Sequence, residues 1–394
     1  MKKTLLAAAL FAGFAGFAGA AQAETQVTLY GILDTGIEFN NVKTTGGVNY
    51  STVGLDSGNQ SGSRWGMKGT EDLGGGTQAT FQLESGFQVT NGYSNQGQRL
   101  FGRRAFLGLQ NASWGMFRVG RGPTIATDMF QSANSDPFGY AFGPFQLGTI
   151  STATNTYRTD NQVGYMSPVF SGFQVGAGYS FNVNTANPYN NSLLSAAKQN
   201  PTSGVGEPMG MRAQGFDVTG TYTNGPLFVG VTYDQTNPYA TSSASAGTVR
   251  QVTADVSYNF QVATVYGAYV RGWNGLTGAA LSNQGLGDGG YQALAFSAGS
   301  GNGYISGLKQ NAFMVGASMP VGSATSLFAS WTHQTLGGKN NTWQGTAQNT
   351  FGVGATYNLS KRTNVYAVAG YINGMGNVYG QKETAGLVGM RHQF

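Results

Sequence analysis

Sixteen times between residue 26 and the C terminus, a run of alternating apolar and polar residues recurs, and the runs are joined by short turns and long loops in alternation. Successive side chains of a strand point to opposite faces, so each run reads as a strand with one apolar and one polar face. The runs are 26–39, 63–71, 77–88, 99–110, 116–121, 158–166, 172–181, 213–223, 227–234, 249–258, 262–273, 311–319, 325–333, 350–357, 364–373 and 382–394. Tight-turn chemistry separates several of them, as in Leu73-Gly74-Gly75-Gly76, Asn224-Gly225-Pro226 and Pro320-Val321-Gly322. In 262–273, Val262, Thr264, Tyr266, Ala268 and Val270 share one face, assigned here to lipid. Ala263, Val265, Gly267, Tyr269 and Arg271 share the other, assigned to a lumen that tolerates charge.

This repetition predicts an all-β fold: a 16-stranded antiparallel transmembrane β-barrel with short periplasmic turns and long external loops. Beyond residue 23 no apolar segment of ~18 or more residues occurs, which excludes helical membrane spans. The mean hydropathy of −0.19 is compatible with a membrane barrel, because strands apolar on one face and polar on the other average to such a value. An open sheet edge in lipid would leave backbone N–H and C=O groups unsatisfied, so the first and last strands are expected to pair.

The N terminus reads as a signal peptide over 1–23: Lys2 and Lys3, an apolar stretch 5–18, and Ala21-Gln22-Ala23 as a small-x-small cleavage site. Residues 24–394 then form one domain, since glycine and aromatic residues are spread evenly with no linker or charge run. The absence of cysteine excludes a disulfide scaffold and a thiolate metal site. Without Lys2 and Lys3 the formal charge falls from +5 to +3, too sparse for a nucleic-acid surface. No cofactor or metal motif is found.

In a chain only 9% charged, arginines cluster on successive strands from Arg64 to Arg158, beside a long segment, 122–157, that shows no strand alternation. These arginines are read as one wall of a pore, with the segment folding inward so that its carboxylates face them. Fixed arginines opposite fixed carboxylates across a water-filled waist set the sign of ion preference. Weak selectivity with a slight anion bias is expected. The blander alternative has the arginines binding lipid phosphates or backbone carbonyls near a rim.

Three other functions compete. A barrel enzyme needs an activated Ser or water beside a His, and His333 and His392 have no obvious partner. A solute-specific channel would use its aromatics as a stacking track, and a structural barrel would be plugged.

The chain resembles the Gram-negative general porins, closest to their neisserial and Burkholderia-type branch. The resemblance rests on Val27-Thr28-Leu29-Tyr30-Gly31, on 63–76 from Ser63-Arg64-Trp65-Gly66 through Leu73-Gly74-Gly75-Gly76, on Arg103-Arg104-Ala105-Phe106-Leu107-Gly108-Leu109, on Val119-Gly120-Arg121, and on the terminal Phe394. It implies a passive diffusion channel for ions and small hydrophilic solutes, a homotrimer in the outer membrane in contact with lipid and lipopolysaccharide, and no enzyme activity. It implies a basic wall of Arg64, Arg103 and Arg158 with Glu84 close by, and an acidic side made of Glu84 together with Asp128 and Asp136 of the inward third loop. Because Arg103 and Arg104 are adjacent, alternation allows only one of them in the lumen, and the resemblance selects Arg103. Arg121 corresponds to a position near the subunit interface. Phe394, on the same face as Val388 and Met390, corresponds to the signal read by the barrel assembly machinery.

Overall fold

The structure is a computed structural model that describes residues 26–133, 135–139, 142, 158–183, 214–237, 248–275, 304–338 and 346–394. The segment 1–23 and residues 143–157 of the long loop lie outside the described residues. The strand segments are β1 Gln26–Lys43, β2 Asn49–Ser57, β3 Arg64–Gly74, β4 Thr77–Gly86, β5 Arg104–Asn111, β6 Gly115–Pro123, β7 Arg158–Met166, β8 Phe173–Ser180 and β9 Gln214–Asn224. They continue as β10 Leu227–Asn237, β11 Val249–Asn259, β12 Thr264–Gly275, β13 Tyr304–Val321, β14 Thr325–Gly337, β15 Gln348–Asn358, β16 Thr363–Asn373 and β17 Lys382–Gln393.

All pairings are antiparallel between neighbours, and the sheet closes on itself through β1 and β17, in register from Ile32↔Gln393 to Lys43↔Lys382. Gly31 and Phe394 complete the seam by exchanging backbone hydrogen bonds of 3.0 Å. The ring of Phe394 lies over Gly31, where any Cβ would overlap it. Closure leaves no edge, the condition a sheet must meet in hydrocarbon.

Seventeen segments make sixteen barrel positions, because β2 and β3 share one. The upper half of β1 pairs with β2 (Lys43↔Asn49 to Thr35↔Ser57), and its lower half pairs with β3 (Ile32↔Arg64 to Gln26↔Thr70). Residues 58–63 interrupt the position between them. Between the runs 26–39 and 63–71 the sequence predicts a loop; instead β1 extends to Lys43 and β2 forms. Its Asn, Ser, Thr and Gly content resembles a loop, but Val53 and Leu55 stand on one face opposite Phe39 and Ile37, and this pairing holds the strand.

Outward side chains are apolar and exposed along strand after strand: Leu29 and Ile37 on β1, Leu107 on β5, Val175 on β8, Val231 on β10, Val315 on β13 and Val353 on β15. So much exposed apolar surface on every strand is what a lipid-facing band requires. The inward face carries Asp217 and Thr219 on β9, Thr232 and Asp234 on β10, and Gln251, Thr253 and Asp255 on β11, all buried. Turns sit where backbone geometry demands them. Gly225, with φ +54°, starts the two-residue connection between Asn224 and Leu227.

On β12 the faces are the reverse of the expectation. Tyr266, Ala268 and Val270 are buried with Ala312 and Met314 on the inner face, whereas Val265 and Tyr269 are exposed outside. Ala268 is the register partner of Asp255, whose carboxylate accepts the Ser135 hydroxyl of the inward loop at 2.8 Å, which fixes that face as lumenal. These inner apolar residues pack on one another as one buried cluster. Arg271 is accommodated outside because it sits at the long-loop rim.

Candidate functional site

The long loop enters the lumen as a helix, α1 Ile125–Ala133, which lies on the wall formed by β6 to β10. Thr124 caps it, its Oγ1 accepting the Thr127 N–H, and Asp217 on β9 accepts the Ala126 N–H at 2.9 Å. The seat is built of glycine. Ile125 occupies the space above Gly164, Gly176 and Gly178, and Phe130 lies over Gly230 and edge-on to Phe228. Beyond α1 the chain reaches the opposite wall, where Phe138 and Phe142 cluster with Phe328, Tyr366, Val368 and Leu387. Ring centroids are 4.8 Å from Phe138 to Phe328 and 5.2 Å from Phe142 to Tyr366. The loop therefore spans the lumen between two walls, as the sequence reading expected.

Two guanidinium–carboxylate groups stand where it leaves the first wall. In one, Glu84 on β4 accepts from Arg103 Nε at 2.7 Å and from the Tyr30 hydroxyl at 2.8 Å, with Arg64 Nη1 at 4.0 Å. Gln82 donates to the Tyr30 oxygen at 2.5 Å and so orients it. In the other, Asp128 of α1 accepts both Nη atoms of Arg104, at 2.5 and 3.1 Å, and Nη1 of Arg118 at 2.5 Å. Arg118 also donates to the Pro123 carbonyl and to Gln162, and it stacks on Phe106 at 5.3 Å. Burial alone would push the Asp128 carboxyl up, but the Arg104 and Arg118 guanidiniums outweigh it and hold the group below the usual carboxylate range.

Both Arg103 and Arg104 reach carboxylates on the lumenal side, contrary to the alternation argument. Arg104 is the first residue of β5, in register with Glu84, so Arg103 precedes the strand and escapes its two-fold alternation. Glu84 stands on the same wall as Arg64 and Arg103, close by them. Asp128 meets Arg104 and Arg118, two arginines outside the expected wall of Arg64, Arg103 and Arg158. Arg118 was detectable, since it alternates with the outward Phe117 and Val119. Asp136 is fully buried near the far wall, where its Oδ1 accepts the Phe138 N–H at 2.7 Å and shapes the turn before the aromatic cluster. Arg158 is buried at the start of β7, in register with Pro123. Arg121 has the outward parity of Val119, pairs with Asp160 and donates to the Gly102 carbonyl at 2.7 Å. Arg99 joins the same Asp160 at 3.0 Å.

In the two lumenal groups four arginines, Arg64, Arg103, Arg104 and Arg118, are set against two carboxylates, Glu84 and Asp128. Among the described residues, no cluster of His, Cys, Asp and Glu could hold a metal ion.

A closed sixteen-position barrel, apolar outside and crossed within by a loop pinned to an arginine wall, defines a water-filled membrane channel. Residues 6–377 match the Gram-negative porins, and the chain belongs to that family of outer-membrane proteins. It is 43% identical to an outer membrane porin protein of Bordetella pertussis over 100% of both chains. Outer membrane porin protein 32 of Delftia acidovorans is 29% identical over 100% of both. The structure of an anion-selective porin from Comamonas acidovorans superposes with a TM-score of 0.67, covering 94% of this chain and 100% of that one at 26% identity.

Proposed function

We propose that this porin is a general diffusion channel with a slight preference for anions, and that the arginine-rich wall beside α1 sets that preference. The observation that carries the reading is the excess of guanidiniums within the two ion-pair groups beside the loop, four against two, with the lumenal Asp217, Asp234 and Asp255 lying outside those groups. A net positive wall lowers the energy of an anion passing close to it in a partly screened channel. The structural relative described as anion-selective supports the same sign.

Arg64, Arg103 and Arg158 form the basic side in this reading, joined by Arg104 and Arg118, with Glu84 and Asp128 as partial counter-charges and Asp136 shaping the loop. Residues 1–23 act as a cleaved signal peptide, 24–394 form the barrel domain, and 122–157 the inward loop. The working assembly is a homotrimer with Arg121 near its interface. Phe394 serves as the assembly signal, and lipid and lipopolysaccharide surround the barrel. A catalytic role is disfavoured because His333 and His392 lie on outward faces, beside Asn349 and Thr363.

The test is single-channel recording in a planar bilayer with the reversal potential under a salt gradient, repeated with Arg64, Arg103 and Arg158 replaced together by Ser. Large stable steps with weak anion preference, moving toward cations in the variant, are expected. A folded protein that does not conduct, or a wild type with clear cation preference, sinks the reading.

A further inference from the structure

From β9 to the C terminus the described strands carry their carboxylates inward and, apart from Arg391, which donates to Ser61 on the inner side of β17, their cations outward. All four carboxylates, Asp217, Asp234, Asp255 and Glu383, are buried. Parity places them on the lumenal side. The outward cations Arg250, Arg271, Lys309 and Lys382 all lie near the strand ends that lead to long loops. The short-turn end of the barrel differs, with Glu71 and Asp72 as well as Lys361 and Arg362 exposed there.

Three of these cations converge. The register Arg250↔Trp273↔Lys309 sets two cations on either side of one indole across adjacent strands. Arg271 is two residues along β12 on the same outward face, in register with Asn311. Its position is fixed, since Nη1 donates to Asn311 Oδ1 at 2.5 Å and its guanidinium stacks on Trp273 at 5.5 Å. The Tyr269 hydroxyl donates to the same Asn311 oxygen at 2.9 Å. Arg250 and Lys309 are exposed.

Just below, toward the middle of the barrel, runs an aromatic row that includes Tyr269 and Phe313, with centroids 4.9 Å apart, and Trp331 and Phe351. Such rows mark the boundary between hydrocarbon and headgroups. Two to four residues further along tilted strands puts the cations about 5–10 Å beyond it, at headgroup depth. A lysine at this depth snorkels without help, but an arginine held by Asn311 and Trp273 is pre-organised, and its planar fork suits phosphate oxygens.

We propose that Arg250, Arg271 and Lys309, with Asn311 and Trp273 as their frame, form a binding site on the outer wall for a phosphate-bearing lipid headgroup of the external leaflet. The site rests on the reading that the long loops face outward in the outer membrane. Its occupant is argued from charge complementarity, because the face presents cations with no carboxylate among the described residues of β11 to β13. It is also argued from the continuity of the cluster with the aromatic row.

The experiment is native mass spectrometry of delipidated protein titrated with phosphorylated lipid A, with the same glycolipid stripped of its phosphates, and with inorganic phosphate. The variants are Arg250→Ser/Arg271→Ser/Lys309→Ser and, at the opposite end, Lys361→Ser/Arg362→Ser. At about fivefold per headgroup-facing cation, the triple variant is expected to bind the phosphorylated glycolipid roughly a hundredfold more weakly. The control variant and the stripped lipid report specificity: the control binds like wild type, and the stripped lipid binds wild type poorly. Conductance of the triple variant in neutral bilayers stays at the wild-type value. Unchanged binding by the triple variant overturns the proposal, and so does equal loss in both variants, which would indicate only a diffuse basic surface. Displacement by stoichiometric inorganic phosphate would identify a small-ion site instead, and a changed oligomer mass in the triple variant would identify a subunit contact. Lipid binding by a wild type that fails to conduct would remove the channel reading and leave this site standing.

Discussion

The hydroxyl of Tyr366, on β16, donates to Asp34 Oδ1 on β1 at 2.6 Å, joining two positions 332 residues apart in the chain. The other oxygen of Asp34 accepts the N–H groups of Gln60 and Ser61 at 2.9 and 2.7 Å, so one carboxylate ties the interruption between β2 and β3 to the closing strands. Asn364 on β16 adds a hydrogen bond to Gln60 at 2.8 Å. On the segment so held, the Asn59 carbonyl accepts the Phe142 N–H at 2.8 Å, which anchors the inward loop at the opposite wall. The break in the second barrel position thus serves as a ledge on which the loop rests.

Replacing Asp34 by Ala should therefore loosen the loop from the side opposite the arginines. Three hydrogen bonds to a buried carboxylate are lost, at about 1.5–3 kcal/mol each before relaxation, and Tyr366 is left without its acceptor. A lower midpoint of thermal unfolding and greater open-channel noise are expected, with Tyr366→Phe giving a smaller effect in the same direction. Calorimetry and single-channel recording check this. An Asp34→Ala channel as quiet and as stable as wild type would mean that the ledge does not hold the loop.

The opposite anchor is ionic. Asp128→Asn leaves Arg104 and the buried Arg118 without their carboxylate, a change that costs about 3–5 kcal/mol where an ion pair is desolvated. It also removes a negative charge from the lumen. Two outcomes are expected together: easier proteolysis within the loop, and a reversal potential displaced toward anions. A shift toward cations would contradict the electrostatic account of the wall.

The same pair fixes a pH dependence. The Asp128 carboxyl is held below its ordinary value by Arg104 and Arg118 despite its burial. A carboxyl whose folded-state value is depressed contributes stability that is fully present above its unfolded value of about 4 and fades as pH falls through the lower folded value. Loop docking through Asp128 should hold from neutral pH to about pH 4 and weaken only in stronger acid. Protease sensitivity of the loop across pH 2–7 reads this directly, and Asp128→Asn should lose that acid transition.

Much of the architecture was legible because a barrel writes a two-residue period into every strand. Leu29 and Ile37, or Val229 and Val231, announce a lipid-facing side from local sequence alone. The period does not say which face is which where both are mixed. On β12 Tyr266, Ala268 and Val270 turn inward into a buried cluster, and Arg271 turns outward at a rim, so apolar-out fails. At the site, the arginine clustering was legible, but pairing was not. Arg103 escapes alternation by lying just outside β5, and Asp128 finds Arg118 through helix docking. The Asp34–Tyr366 bond depends on barrel closure, which no local pattern encodes.

The helix seat gives a steric prediction. Gly230 faces the ring of Phe130, and Phe130 is fully buried between that glycine and Phe228. A methyl at position 230 would overlap the ring, and close-packed surroundings leave the ring nowhere to go without moving α1. Gly230→Ala should therefore push α1 toward the pore axis and lower single-channel conductance, at a stability loss of about 1–3 kcal/mol. Adding Phe130→Leu frees the space, so the double variant should recover conductance, whereas Phe130→Leu alone should change it little. Equal conductance in all four proteins would mean that the packing of α1 on its glycine floor does not govern the bore of the channel.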